Sequence, residues 1–143
     1  MRALAALAAI LLATPALAEP GTVTRVLDGD SIRIRLSDGE RVVRVLGIDA
    51  PESRECRPGK PAGGGCAKCP AEIERGLAAK RTAQQLLPVG AVVEIERSRA
   101  RDRYGRVLAT VRLPDGRSYG DVMLQRGLAA PYTGRGKRPD WCG

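Results

Sequence analysis

The sequence predicts a mainly β member of the α+β class: a five-stranded barrel of the OB type, with a helix between the third and fourth strands and a short second helix after the fifth. Three observations carry this prediction. Five segments alternate apolar and polar residues with the period of two that a half-buried strand requires. One long helical stretch interrupts them after the third segment. Asp-Gly pairs and other turn residues separate neighbouring segments at short intervals, and neither a repeat nor a linker divides residues 19–143, which therefore read as a single domain.

The elements follow in order. Residues 1–18, MRALAALAAILLATPALA, combine an early Arg2, an apolar run broken at Thr14-Pro15 and small residues at Ala16 and Ala18. This is the pattern of a secretory signal peptide cut after Ala18, and the run is shorter than the roughly 20 apolar residues of a membrane span. The mature chain is thus expected in the periplasm or outside the cell, without stable membrane insertion after cleavage. GTVTRVL, SIRIRLS and ERVVRVLGI then form an antiparallel meander, and residues 54–69 form a loop. A helix is expected from Pro70 to about Leu87. Proline occupies its first turn, Glu72 and Glu74 lie near its positive end, and Ile73, Gly76, Leu77, Ala83, Leu86 and Leu87 make its apolar side. AVVEIERS and RVLATVRL are the last two strands, joined by the loop ARDRYG. Asp115-Gly116 leads into a short helix over 119–126 that closes at Gly127. The tail TGRGKRPDWCG reads as basic and poorly structured.

Composition limits the chemistry. Lys and Arg number 24 against 16 Asp and Glu, a net charge of +8, and removing residues 1–18 takes away Arg2 alone to leave +7. Such a surplus suits a polyanionic partner such as nucleic acid, anionic lipid or acidic glycan, or else serves solubility. Histidine is absent, which excludes Ser-His-Asp and Cys-His catalysis, histidine-dependent nucleases and His-rich zinc sites. Phenylalanine is absent too, leaving Tyr104, Tyr119, Tyr132 and Trp141 as the large aromatics; Tyr119 is expected to cap the core beside the short helix and Trp141 to pack by a disulfide. Cys56, Cys66, Cys69 and Cys142 in an exported chain read first as two disulfides of undetermined pairing, with a zinc site of all four as the alternative. Arg97, Arg99, Arg101 and Arg103 alternate, which fits either a track for a phosphate backbone or a solvated basic loop.

Three Asp-Gly pairs act as controls for one another. Asp38-Gly39 and Asp115-Gly116 sit where turns are wanted and have no companion acid placed for chelation, so they are turns. Asp28-Gly29-Asp30 carries a second carboxylate, and the acid-rich turn GIDAPE closes the third strand. A meander can bring Asp28, Asp30, Asp49 and Glu52 to one end of the sheet. There they would need a cation among them; otherwise they are four separate surface or capping acids. Arg44, on the strand leading to Asp49, and Arg106, after DRYG, would flank such a cluster with guanidinium groups, an arrangement suited to a phosphodiester.

LDGDS, Arg44, IDAPE, DRYGR and the closing RGLA, in this order from about Thr22 to Tyr132, resemble the staphylococcal nuclease (thermonuclease) family. The resemblance implies an OB-fold, calcium-dependent endonuclease acting on DNA and RNA, single-stranded or unwound, as a monomer, with Mg2+ or Mn2+ as alternative metals. It implies that Asp30, Asp49 and the backbone carbonyl of Ala50 bind the metal, with Asp28 holding water behind them. Glu52 would be the general base and Arg44 and Arg106 would clamp the scissile phosphate. Arg103 and Tyr104 would touch a terminal phosphate and Tyr132 would stack on a base. Ser31 stands where the family usually has Thr, the cysteine-bearing loop replaces one expected to lack cysteine, and the chain lacks the family's long terminal helix. The competing readings are a catalytically silent OB module that binds nucleic acid and a disulfide-stapled envelope protein that binds anionic polymers.

Overall fold

The computed structural model describes residues 17–60 and 65–143. The leader expected over residues 1–18 lies outside them except for Leu17 and Ala18, and Ala18 opens the first strand opposite Glu96. Five strands close a barrel: β1 (Ala18–Asp28), β2 (Ser31–Leu36), β3 (Gly39–Val45), β5 (Val92–Arg101) and β6 (Val107–Arg112), in the order β1-β2-β3-β6-β5. All neighbours are antiparallel except β3 and β6. Two-residue strands β4 (Ile48–Asp49) and β7 (Ala130–Pro131) pair outside the barrel. The mainly β barrel with its two helices is the predicted OB fold.

The alternating pattern fills the barrel. Val23, Ile32, Ile34, Val43, Val93, Ile95 and Val111 all point inward and are buried, while the residues between them face out. Two register shifts in β1, between Val23 and Arg25 and between Val26 and Asp28, kink the strand as it approaches its turn.

Helix α1 (Pro70–Leu86) covers one end, with Cys69 as its N-cap. Its buried side keeps Gly76, Ala83, Leu86 and Leu87 of the predicted face but not Leu77. Glu72, Gly76, Ala79 and Ala83 are buried, whereas Leu77 is 41% exposed. Small residues let the helix lie close to the barrel, and that closeness shuts out the larger side chain. Helix α2 (Tyr119–Gln125) starts at the Ser118 cap. Tyr119 does not cap the core but lies wholly within it, and its hydroxyl donates to the Gly29 carbonyl at 2.6 Å, across 90 residues of sequence.

The cysteines form two disulfides, Cys56–Cys66 and Cys69–Cys142. The second ties the last residues of the tail to the cap of α1, so the predicted loose tail is anchored. Arg97, the first of the alternating arginines, pairs with Glu19 and Asp38. Among the described residues no helix is long and apolar enough to cross a membrane.

Candidate active site

The β1–β2 turn, β4 and the residues after it meet at one end of the barrel. Asp28 and Ser31 are cross-strand partners at the turn, and Ser31 faces Arg44 on β3. Gly29 allows the approach. A Cβ there would lie 2.8 Å from the Ala50 Cβ and 3.0 Å from the Ala79 Cβ, so only a bare α-carbon fits beneath the loop and α1. Gly39 and Gly116, by contrast, occupy left-handed backbone with φ of 111° and 87°, as turn glycines do. The three Asp-Gly pairs therefore differ physically: two shape turns, and the first packs one.

Asp30 is buried, and its Oδ2 accepts from the Ala50 backbone N–H at 2.7 Å. Arg44, also buried, bridges the two carboxylates. Its Nη1 lies 3.1 Å from Asp30 Oδ2 and its Nη2 3.2 Å from Asp49 Oδ1, while Nη1 also donates to the Ile48 carbonyl at 3.0 Å. Asp28 accepts from the Ser53 hydroxyl. Glu52 is held through its main chain, whose N–H donates to Glu72 Oε1 at 3.3 Å; the other Glu72 oxygen accepts from Lys68 N at 2.7 Å. Sequence reasoning took Glu72 for a helix-dipole acid, because its partner lies 20 residues away and no local pattern announces it.

The acids act on one another. Burial and then repulsion from Asp30 raise the Asp49 carboxyl above its ordinary range, despite Trp141, Arg138 and Arg44. Burial, and next the charges of Asp30 and Asp28, push Glu52 from 4.5 to about 7. Its folded-state pKa is thus above the unfolded one: the neutral form favours folding below about pH 4.5, and that contribution is lost as pH rises through 7. In chelator, Glu52→Gln is therefore expected to raise unfolding free energy above pH 7 by about 1–3 kcal/mol and to change it little at pH 4, read by urea denaturation at both pH values.

A cleft of about 650 Å³ opens over this cluster, lined by Asp28, Asp30, Arg44, Glu52 and Arg106 among others. Arg106 donates from Nε to Asp102 Oδ2 at 2.7 Å, and that hydrogen bond holds the Asp102 carboxyl below its usual range. Tyr104, 67% exposed, lies between Arg103 and Arg106, whose guanidinium carbons are 5.3 and 5.4 Å from its ring centre. Tyr132 is bound by its N–H to the Gly47 carbonyl at 3.0 Å, just beyond the β4–β7 pair.

Two residues that sequence reasoning left in the tail also reach the cluster. The Trp141 indole N–H donates to Asp49 Oδ2 at 3.3 Å, and Arg138 lies 3.9 Å from Asp49 Oδ1 and 3.7 Å from Glu52 Oε1. The proximity of Trp141 to Cys142 was the one sequence signal that its side chain would be held in place.

The donors suit a hard cation. They are oxygens, and the mutual repulsion that raises Asp49 and Glu52 is what a divalent ion would relieve. Among the described residues no group of three or more His, Cys, Asp or Glu converges as a metal cluster. Two carboxylates and a carbonyl instead fit an ion that keeps much of its water.

The profile of the family described as "Staphylococcal nuclease homologue" matches residues 42–140. The chain is 32% identical over 149 residues to Protein ParB of Escherichia coli, covering 98% of this chain and 73% of that protein. It is 31% identical over 150 residues to a micrococcal nuclease of Shigella flexneri, covering 98% and 74%. Endonuclease YncB of Bacillus subtilis strain 168 is 32% identical over 109 residues, covering 76% of this chain and 46% of that enzyme.

Proposed function

This chain belongs to the staphylococcal nuclease family and is a nuclease hydrolase, and on that premise we propose that it is an exported, calcium-dependent endonuclease that hydrolyses DNA and RNA with little sequence preference. The observation that carries this reading is the shared end of the barrel at which Asp28, Asp30, Asp49 and Glu52 repel one another beside Arg44.

Asp30, Asp49 and the Ala50 carbonyl would hold the cation, with Asp28, bound to Ser53, ordering water behind them. The bound ion supplies charge neutralisation on the phosphate and acidifies water, with Mg2+ and Mn2+ as alternatives to Ca2+. Glu52 takes the proton from the attacking water. Its backbone is fixed by Glu72, which holds the carboxylate at the cleft. Arg44 and Arg106 donate to non-bridging phosphate oxygens, and Asp102 keeps the Arg106 fork oriented. Exposed Tyr104 with Arg103 meets a neighbouring phosphate, and Tyr132 offers a ring to an unstacked base, which favours single-stranded or unwound substrate. The leader over residues 1–18 would export the chain, and the two disulfides suit an oxidising compartment in which it works as a monomer.

The test is cleavage of heat-denatured DNA and of RNA by the purified protein with Ca2+, Mg2+, Mn2+ or chelator. Cleavage is expected with a divalent ion and not with chelator, and Glu52→Gln is expected to lose about 10²–10⁴-fold in rate. Salt-sensitive binding without cleavage in any metal would instead make the chain a silent nucleic-acid-binding barrel.

A further inference from the structure

Six arginines line the cleft, Arg25, Arg33, Arg44, Arg54, Arg106 and Arg138, and Arg44, Arg106 and Arg138 are unequally committed to acids. Arg44 spends its donors on two carboxylates and on the Val45 and Ile48 carbonyls. Arg106 is paired at short range with Asp102. Arg138 has only long contacts to acids, 3.7 Å to Glu52 and 3.9 Å to Asp49, and its side chain is 38% exposed on the cleft wall. A guanidinium so placed can turn toward an incoming phosphate by releasing these long contacts and its hydrogen bond with Tyr132.

Arg138 is held in place from both sides. Its guanidinium carbon lies 6.0 Å from the Tyr132 ring centre, at the limit of a cation–π contact. Three residues later Trp141 binds Asp49 through its indole, the Trp141 carbonyl accepts from Arg75 on α1 at 2.9 Å, and Cys142 is bonded to Cys69 at the helix cap. The tail thus spans from β7 to α1 as a strap, with Arg138 over the cluster.

We propose that Arg138 binds the scissile phosphodiester, and that the Cys69–Cys142 bond with Trp141 positions it there. The inference rests on the nuclease reading. It adds a phosphate-binding residue supplied by the tail and makes full activity depend on one of the two disulfides. Arg138 neutralises charge on a phosphate oxygen that Arg44 and Arg106 reach only by giving up acid partners.

The test uses five variants of the full chain: Arg138→Ala, Arg138→Lys, Lys137→Ala, the double variant Cys69→Ser/Cys142→Ser, which keeps Cys56–Cys66, and that double variant with Arg138→Ala added. Each is measured for cleavage of a single-stranded oligonucleotide with Ca2+, for binding of the same oligonucleotide in chelator by fluorescence anisotropy, and for thermal unfolding. Arg138→Ala is expected to lower kcat/KM about 10–100-fold and to weaken binding, with Arg138→Lys intermediate and the exposed Lys137→Ala changed by less than about 3-fold. In the double variant, adding Arg138→Ala should cost markedly less than it does in the tethered chain. Wild-type binding and cleavage by Arg138→Ala, or an equal loss in Lys137→Ala, would overturn the phosphate role. An undiminished Arg138→Ala effect without the bond would overturn the strap. If the parent chain cleaves in no metal, the nuclease reading fails, while the binding comparison still decides whether Arg138 holds nucleic-acid phosphate.

Discussion

Replacing Arg44 with Ala is expected to lower the unfolding free energy of the metal-free protein by about 3–5 kcal/mol at pH 7, a large part of the ~5–15 kcal/mol that holds a domain of this size together. The reason lies in what the guanidinium leaves behind. Asp30 and Asp49 are 7% and 3% exposed, and burial, with their mutual repulsion next, already raises the Asp49 carboxyl. Without Arg44 they face one another with no buried cation between them, and the Ile48 carbonyl loses a donor. Two signatures separate this from a simple loss of packing. The variant's Asp49 titrates higher still, so its folded state binds more protons than its unfolded state. The penalty therefore grows as pH rises from 4 to 7. Added Ca2+ should return more stability to the variant than to the parent, because the ion takes over charge compensation that Arg44 provides in its absence. Urea denaturation at the two pH values, with and without Ca2+, checks both. A loss under ~1 kcal/mol, flat in pH, would mean that Arg44 is not the centre's internal counter-charge. Cleavage should fall at least ~100-fold in the same variant.

Gly76→Ala should be nearly as damaging although it adds a single methyl group. In an open helix this change is worth up to ~1 kcal/mol of added stability through helix propensity. Here the new Cβ would stand 2.3 Å from the Glu52 carbonyl oxygen, 2.5 Å from its carbon and 2.7 Å from the Ser53 nitrogen. These are backbone atoms, so no rotamer change relieves the contact. Either α1 lifts from the barrel or the segment bearing Glu52 moves. The first strains the contacts of buried Ala79 and Ala83, and the second breaks the Glu52 N–H bond to Glu72. A net loss of about 2–3 kcal/mol is expected, with a ~100-fold fall in cleavage rate at a temperature where the variant remains folded, since the role proposed for Glu52 would not survive a displacement of ~1 Å without a loss of that order. Gly120→Ala is the control. Its Cβ would meet Ile48 and Val45 side chains at 3.6 Å, an ordinary contact, so stability should hold or rise slightly. Circular dichroism melts and initial cleavage rates of the two variants give the comparison, and a stable, active Gly76→Ala would show that α1 does not set the position of Glu52.

The barrel strands were legible in the sequence because the direction of a strand side chain is decided locally: Ile32, Ile34 and Leu36 go in because Arg33 and Arg35 go out. The contrast between Asp28-Gly29-Asp30 and the other two Asp-Gly pairs was legible too, as a difference in neighbouring acids. Its physical basis, a glycine needed for close approach and not for left-handed backbone, required Ala50 and Ala79 to be set beside it. The same holds for everything in the site that arrives from far along the chain. Glu72 reads as a helix-dipole acid until it is seen under the Glu52 amide, Gly76 as one residue of an apolar helix side until it touches that backbone, and Arg138 as part of a basic tail until Cys142 is bonded to Cys69. Alternation, turns and caps depend on the nearest few residues, so the sequence by itself determined the strands, the helices and which acids to suspect. Which cysteines pair, that Leu77 stays outside the buried helix face and which arginine has only long contacts to acids depend on contacts between segments far apart in the chain, and only the tertiary structure decided them.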